Sequence, residues 1–180
     1  PWLDRTPDKP PAKAARGAAL WVVHIGQPVG ARRGRAEGFI CVGWTEAGDL
    51  SLLGTRDKLK RAFDKHYPDH PSMRVANWAG DALRFIDMRR GEMFVFPVKG
   101  EDEILVGEIV GEHRFRPDDQ ELMESDSANT RPVKWLGSFR RSEFSEEARK
   151  CFDSEHTVHS GADHRDEVLK LLLNAQGKGG

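Results

Sequence analysis

Two apolar runs constrain this fold more than any other part of the chain: "EMFVFPV" (Glu92 to Val98) and "EILVGEIVGEHRF" (Glu103 to Phe115). Both are rich in β-branched and aromatic residues, and the acidic "KGEDE" joins them, so they predict a β-hairpin. Gly107 and Gly111 interrupt the second run. Glycine inside a strand marks a bulge or a sharp curl, as in the wall of a small barrel.

Further strands are predicted at "AALWVVHIG" (Ala18 to Gly26), "FICVGW" (Phe39 to Trp44) and "RPVKWLGSFRR" (Arg131 to Arg141), with a short last one in "HTVHS". Helices are predicted between them. "TRDKLKRAFDKHYP" has Thr55 as N-cap, Leu59, Ala62 and Phe63 on one face and Pro68 as the stop. "NWAGDALRFIDMRRG" reads as a helix capped by Asn77, with Gly91 ending it. "SEFSEEARKCF" is a short helix capped by Ser142 or Ser145, and "ADHRDEVLKLLLNA" is amphipathic. "QPVGARRGRAEG" and "DDQELMESDSANT" read as loops. The fold class is therefore α+β, a small curled β-barrel with helices inserted between strands.

Residues 1–17, rich in proline and lysine and including Trp2, read as a flexible tail or linker. Residues 18–160 form the barrel domain, and 161–180 a C-terminal helix with a frayed tail. The chain begins without methionine, and the expectation is a piece cut from a longer protein. No apolar run approaches 18 residues and no signal peptide is recognisable, so a cytoplasmic location without membrane contact is expected.

Catalytic motifs are missing: there is no GxSxG, Walker loop or HExxH. A metal-dependent restriction nuclease would want Glu-x-Lys on a strand, but neither Glu108 nor Glu112 in "ILVGEIVGE" has a lysine two places on. Cys41 and Cys151 form no CxxC pair, and Cys41 reads as a small buried hydrophobe. His156, His159 and His164 beside Cys151 are better read as strand and loop polar residues than as a metal cluster. Neither a cofactor nor a metal is expected.

The net charge of −1 conceals local clusters, basic at "ARRGR", "RDKLKR", Arg89–Arg90 and Arg140–Arg141, acidic at "GEDE" and "DDQELMESD". Trp21, Trp44, Trp78 and Trp135 each sit near the end of a predicted element. Tryptophan is rarely fully buried and stacks well on planar rings. Aromatics that stack on bases, beside arginines that hold phosphates, are what reading an unpaired base requires. Trp135, between Val133 and Leu136, fits the core better.

The order "GFICVGW", "GDLS", a helix ending in "YP", "NWAGDALRFIDMRRGEMFVFP", "ILVGEIVGEHRFRPD" and "RPVKWLGSFRRSEF" resembles the N-terminal PUA-like, EVE-like domain of Mrr-type modification-dependent (type IV) restriction proteins. The resemblance runs from Trp21 to about Ser160, with Glu92 where the family usually has Asp. It implies a reader rather than an enzyme: a DNA-binding module that flips a modified base, expected to be a modified cytosine, into an aromatic pocket. Its partner would be double-stranded DNA, and it would target an attached or partner nuclease.

By position the resemblance makes Trp44 a cage tryptophan, with Trp21 and Trp78 as the other wall candidates. Asp49 and Asn77 would bond the base's Watson–Crick edge. Arg32, Arg33, Arg35, Arg84, Arg89 and Arg90 are the phosphate candidates, which predicts salt-sensitive binding. Two alternatives stay open. One is a PUA-like module for RNA; the other is a metal-dependent nuclease fragment using Glu108 or Glu112.

Overall fold

The computed structural model describes residues 19–178, so the expected tail over 1–17, Trp2 and the last two glycines lie outside the described residues. Seven strands form one sheet: β1 (Leu20–Val23), β2 (Phe39–Val42), β3 (Met93–Pro97), β4 (Ile104–Ile109), β5 (Arg114–Phe115), β6 (Asn129–Phe139) and β7 (Val158–Ser160). Six α-helices accompany it: α1 (Pro28–Glu37), α2 (Arg56–His66), α3 (Ser72–Asp87), α4 (Gln120–Glu124), α5 (Glu146–Phe152) and α6 (Arg165–Gly177). The strand order is β2-β6-β4-β3-β1-β7, with β5 also on β6, and only β1 and β3 run parallel.

The expected hairpin is β3–β4, paired from Met93↔Glu108 to Pro97↔Ile104. The curl comes from β6. Its first residues pair with β2 (Phe39↔Pro132 to Val42↔Asn129) and its later ones with β4 (Ile109↔Val133 to Ile104↔Phe139). The β4–β6 register shifts between Val106 and Gly107, and a Cβ on Gly107 would lie 2.4 Å from Phe94 Cζ. The glycine thus lets the strand bend over a core ring. The sheet is a half-barrel, not a closed one: β2 and β7 end it and do not pair with each other.

Alternation along the strands sends side chains to two cores. Phe94, Phe96, Val23 and Ile109 face one core, with Phe63 and Leu59 of α2 and Val75, Ala79, Ala82 and Phe85 of α3. Leu20, Val22, Met93, Val95, Ile104 and Val106 face the other, with Phe152 of α5 and Val168 and Leu172 of α6. Trp135 packs on Phe94 and Phe96 and donates its indole N–H to Gly34 O, as a core residue would.

Three local readings need correction. "QPVGARRGRAEG" is helix α1, not a loop. Pro28 starts it, Gly38 in the left-handed region (φ 80°) ends it, and Gly30 and Gly34 let it lie against β2. A Cβ at Gly34 would come within 2.3 Å of Phe39 O, so contact overrides the poor helix propensity of glycine. "DDQELMESDSANT" contains α4, capped by Asp119. Helix α3 starts at Ser72, so Asn77 lies inside it and caps nothing, and it ends at Asp87 before Gly91.

The far end of α3 is held by a residue the sequence disguises as an exposed strand cation. Arg131 of β6 is fully buried. Its Nη1 donates to Phe85 O (3.1 Å) and Ile86 O (2.7 Å), and its Nη2 to Gly111 O (3.0 Å). Two of these acceptors are carbonyls that a helix end leaves without partners, and the negative end of the helix dipole favours the cation.

Candidate functional site

The open seam of the half-barrel lies between its edge strands β2 and β7, and a cavity of about 230 Å³ sits at one end of it, where β1 and β2 finish and β7 begins. Trp44 and Trp78 line it, with His24, Gly26 and Gln27 following β1, Cys41, Val42 and Gly43 of and after β2, Asp126 and Ser127 before β6, and Glu155 and Thr157 before β7.

Trp44 holds this site under backbone strain. It has φ 62° and ψ 32°, a left-handed conformation that costs a bulky L-residue about 1–2 kcal/mol. Among the described residues the only other non-glycine with positive φ is Asp126 (φ 52°), in the same wall. The two are coupled: Asp126 Oδ1 accepts the N–H of Thr45 (2.8 Å), the residue after Trp44. Asp126 Oδ2 lies over Gly43, where a Cβ would be 2.5 Å from it. Strain of this kind persists where surrounding structure over-determines it, and it concentrates at ligand sites.

The two indoles lie 6.2 Å apart at 53°. Trp44 packs on Phe63 (5.2 Å) and is 7% exposed, while Trp78, half-buried, meets Tyr67 and His70 edge-on or tilted. Trp78 comes from the first half of α3, and three residues on, Asp81 ties the opposite wall to the same helix. Asp81 Oδ2 accepts the N–H of Thr157 (2.8 Å), and Oδ1 meets His156 Nδ1 (3.2 Å) and Arg84 Nη1 (2.8 Å).

Behind this wall, His24 stacks on His159 at 6.0 Å, with His24 Nε2 and His159 Nδ1 buried and unpartnered. Burial pushes the pKa of both down, as it does for His113. Unfolding therefore binds protons wherever pH is below the ordinary histidine value near 6.5 and above the depressed folded values. Stability should be level from pH 8 to about 6.5 and fall as pH drops further, which urea midpoints at pH 7.5 and 5.5 would register.

Of the residues proposed from sequence, the structure brings Trp44 and Trp78 together and leaves the others apart. Trp21 is on β1 about 10 Å before His24, and its indole N–H donates to Glu92 Oε2 (2.8 Å). Asp49 caps the turn Leu50–Leu52 by accepting from Ser51 N, and it faces His113. Asn77 is exposed and lines a separate hollow on the far side of Trp78. Strand pairing sets the direction of Trp21 and turn capping that of Asp49, while Asn77 sits on the exposed face of α3.

The phosphate candidates are also redistributed. Arg33 forks onto Asp119 (2.7 and 2.8 Å) and bonds Glu37, clamping α1 to α4 and holding both carboxyls below their ordinary range. Arg35 forks onto Glu103, Arg32 pairs with Glu121, and Arg84 pairs with Asp81. Arg89 and Arg90 are exposed, but they follow the far end of α3, about 14 Å of helix beyond Trp78. His24, Gln27, Asp126, Glu155 and Thr157 are the pocket residues missing from the sequence reading. The one signal for them was Trp44 itself, which marked the seam but not its other wall.

Cys41 is 1% exposed, and burial pushes its thiol up to about 12, as befits a core residue. Among the described residues, no group of three or more His, Cys, Asp or Glu side chains could hold a metal, and no helix is long and apolar enough to cross a membrane.

Fold and site define the class: an α+β half-barrel domain with a tryptophan-walled pocket at its open seam. The chain belongs to the family described as "Domain of unknown function (DUF8426)", whose pattern matches residues 23–160. No curated protein matches it. Among solved structures it is similar to the YTH domain of the Zygosaccharomyces rouxii MRB1 protein in complex with N6-methyladenosine RNA, with 13% identity, 86% of each chain covered and a TM-score of 0.47. It is also similar to the YTH domain-containing protein mmi1 in its RNA complex, with 10% identity, 73% of this chain and 62% of that one covered, and a TM-score of 0.36.

Proposed function

We propose that this domain is a binding module that takes one modified nucleobase into the Trp44–Trp78 pocket. The observation that carries the reading is the strained Trp44 beside Trp78 in the wall of the seam cavity, with the Asp126 carboxylate in the same wall. Stacking on an aromatic ring is worth about 1–3 kcal/mol per base, comparable with the few kcal/mol needed to extrude one from a duplex.

Asp126 gives the site a preference. An ionised carboxylate only accepts hydrogen bonds. Cytosine and adenine each carry an exocyclic amino donor (N4 or N6) at the place where thymine and guanine present a carbonyl oxygen. The pocket therefore suits a modified cytosine or adenine. Following the sequence resemblance, the polymer is DNA with a flipped modified base, and the module directs an attached or partner nuclease to it.

The Asp126→Asn exchange tests this. It keeps an oxygen for Thr45 N–H and removes the obligate acceptor. It is expected to cut the preference for amino-bearing over carbonyl-bearing bases about tenfold, read by polarisation on oligonucleotides differing only at the central modified base. An unchanged preference would remove Asp126 from the reading. Competition between matched DNA and RNA strands assigns the polymer: displacement by RNA alone would replace the DNA reading with the RNA one.

A further inference from the structure

A second cavity, of about 390 Å³, lies between α1 and the β3–β4 hairpin. Its lining is mostly apolar: Ile25, Pro28, Ala31, Phe96, Val98 and Leu105. Ile25, Phe96 and Leu105 are core residues that form its floor. Its rim is charged, with Arg32, Arg35 and Lys99 against Glu101. Arg35 is spoken for by Glu103, but the Arg32–Glu121 pair is exposed on both sides and so weakly held, and Lys99 is exposed. An apolar floor with exposed Lys99 and the weakly held Arg32 at its rim suits a flat ring attached to an anion.

Gly26 joins this cavity to the tryptophan pocket, since it lines both, and it also lines a wider cleft that leads past Lys99 and Arg141. Nothing in the fold calls for glycine here. A Cβ at Gly26 would meet no atom within 4 Å, and its φ is not in the left-handed region. Glycine leaves the backbone bare where the two cavities meet.

We infer that the second cavity is a subsite for the nucleotide next to the modified one, on the same strand. Its base lies over Phe96 and Val98, and its phosphate passes Gly26 toward Lys99 and Arg32. The inference rests on the reading of the tryptophan pocket as a base site. It makes the domain a reader of two adjacent unstacked bases, so the modified base is bound with a preference for its neighbour. It also favours a single or locally opened strand, because a duplex would have to give up a second pair.

An abasic scan on the unaltered protein tests this. The probes are short single-stranded oligonucleotides with a central N6-methyladenine or 5-methylcytosine and an abasic residue placed at each flanking position in turn. Removal of one immediate neighbour, on one side only, is expected to weaken binding about fivefold or more. Ala31→Phe, which fills the second cavity without touching the first, should weaken the intact probe by a similar factor and abolish the abasic effect. The ratio of modified to unmodified binding should stay unchanged. A flat scan with the modified-base preference intact overturns the subsite alone. Loss of any preference for the modified probes in the unaltered protein overturns the base-pocket reading and the subsite with it.

Discussion

Trp44→Ala is expected to abolish the preference for a modified base while the domain keeps its fold. The lost stack is worth about 1–3 kcal/mol, or roughly 5- to 150-fold in affinity for the preferred oligonucleotide. The same change removes a ring packed on Phe63, so stability should fall by about 3–5 kcal/mol. Backbone strain separates the two effects. Alanine in the left-handed region is still strained, whereas glycine is not. Trp44→Gly should therefore be about 1 kcal/mol more stable than Trp44→Ala and equally blind to the modification, checked by urea unfolding beside binding. Trp78→Ala should give a comparable binding loss with a smaller stability cost, because Trp78 is only half-buried. A folded Trp44 variant that keeps its preference would count against the pocket.

Arg131→Met should destabilise the domain by about 3–5 kcal/mol. It strips the donors from Phe85 O and Gly111 O, both buried, and from the part-buried Ile86 O. Domains of this size have only about 5–15 kcal/mol in total, so such a loss moves the urea midpoint far toward unfolding. Arg131→Lys should restore little, because an ammonium cannot reproduce the planar fork that spans two elements. A midpoint within experimental error of the unaltered protein would show that the carbonyls find other partners. Since α3 carries Trp78, any Arg131 variant that does fold should also bind the modified base more weakly.

The strands were legible because their chemistry is local. The hairpin at Met93–Pro97 and Ile104–Ile109, the bulge at Gly107, the Thr55 cap and the Ser145 cap all follow from a few neighbouring residues. Helix α1 was not, since its glycines look like loop punctuation until Phe39 O and Cys41 are packed against them. Half of the candidate site was readable for a similar reason. Trp44 and Trp78 stand out as aromatics at element ends, and the fold does bring them to one cavity. Asp126, His24 and Thr157 reach that cavity only through the seam between β1, β2 and β7, a juxtaposition made by topology over a hundred residues of chain. The arginine clusters misled because each cation is judged by its partner. Arg33, Arg35 and Arg84 found carboxylates within the fold, and Arg131 found carbonyls.

The measurement that bears most directly on the account is fluorescence-polarisation binding to one DNA sequence in four versions: unmodified, 5-methylcytosine, 5-hydroxymethylcytosine and N6-methyladenine. Duplex and single strand are run at one salt concentration, because the phosphate contribution varies steeply with salt. The account predicts tighter binding to at least one modified version and loss of that difference in folded Trp44→Ala. Equal affinity for all four versions in both forms would contradict it.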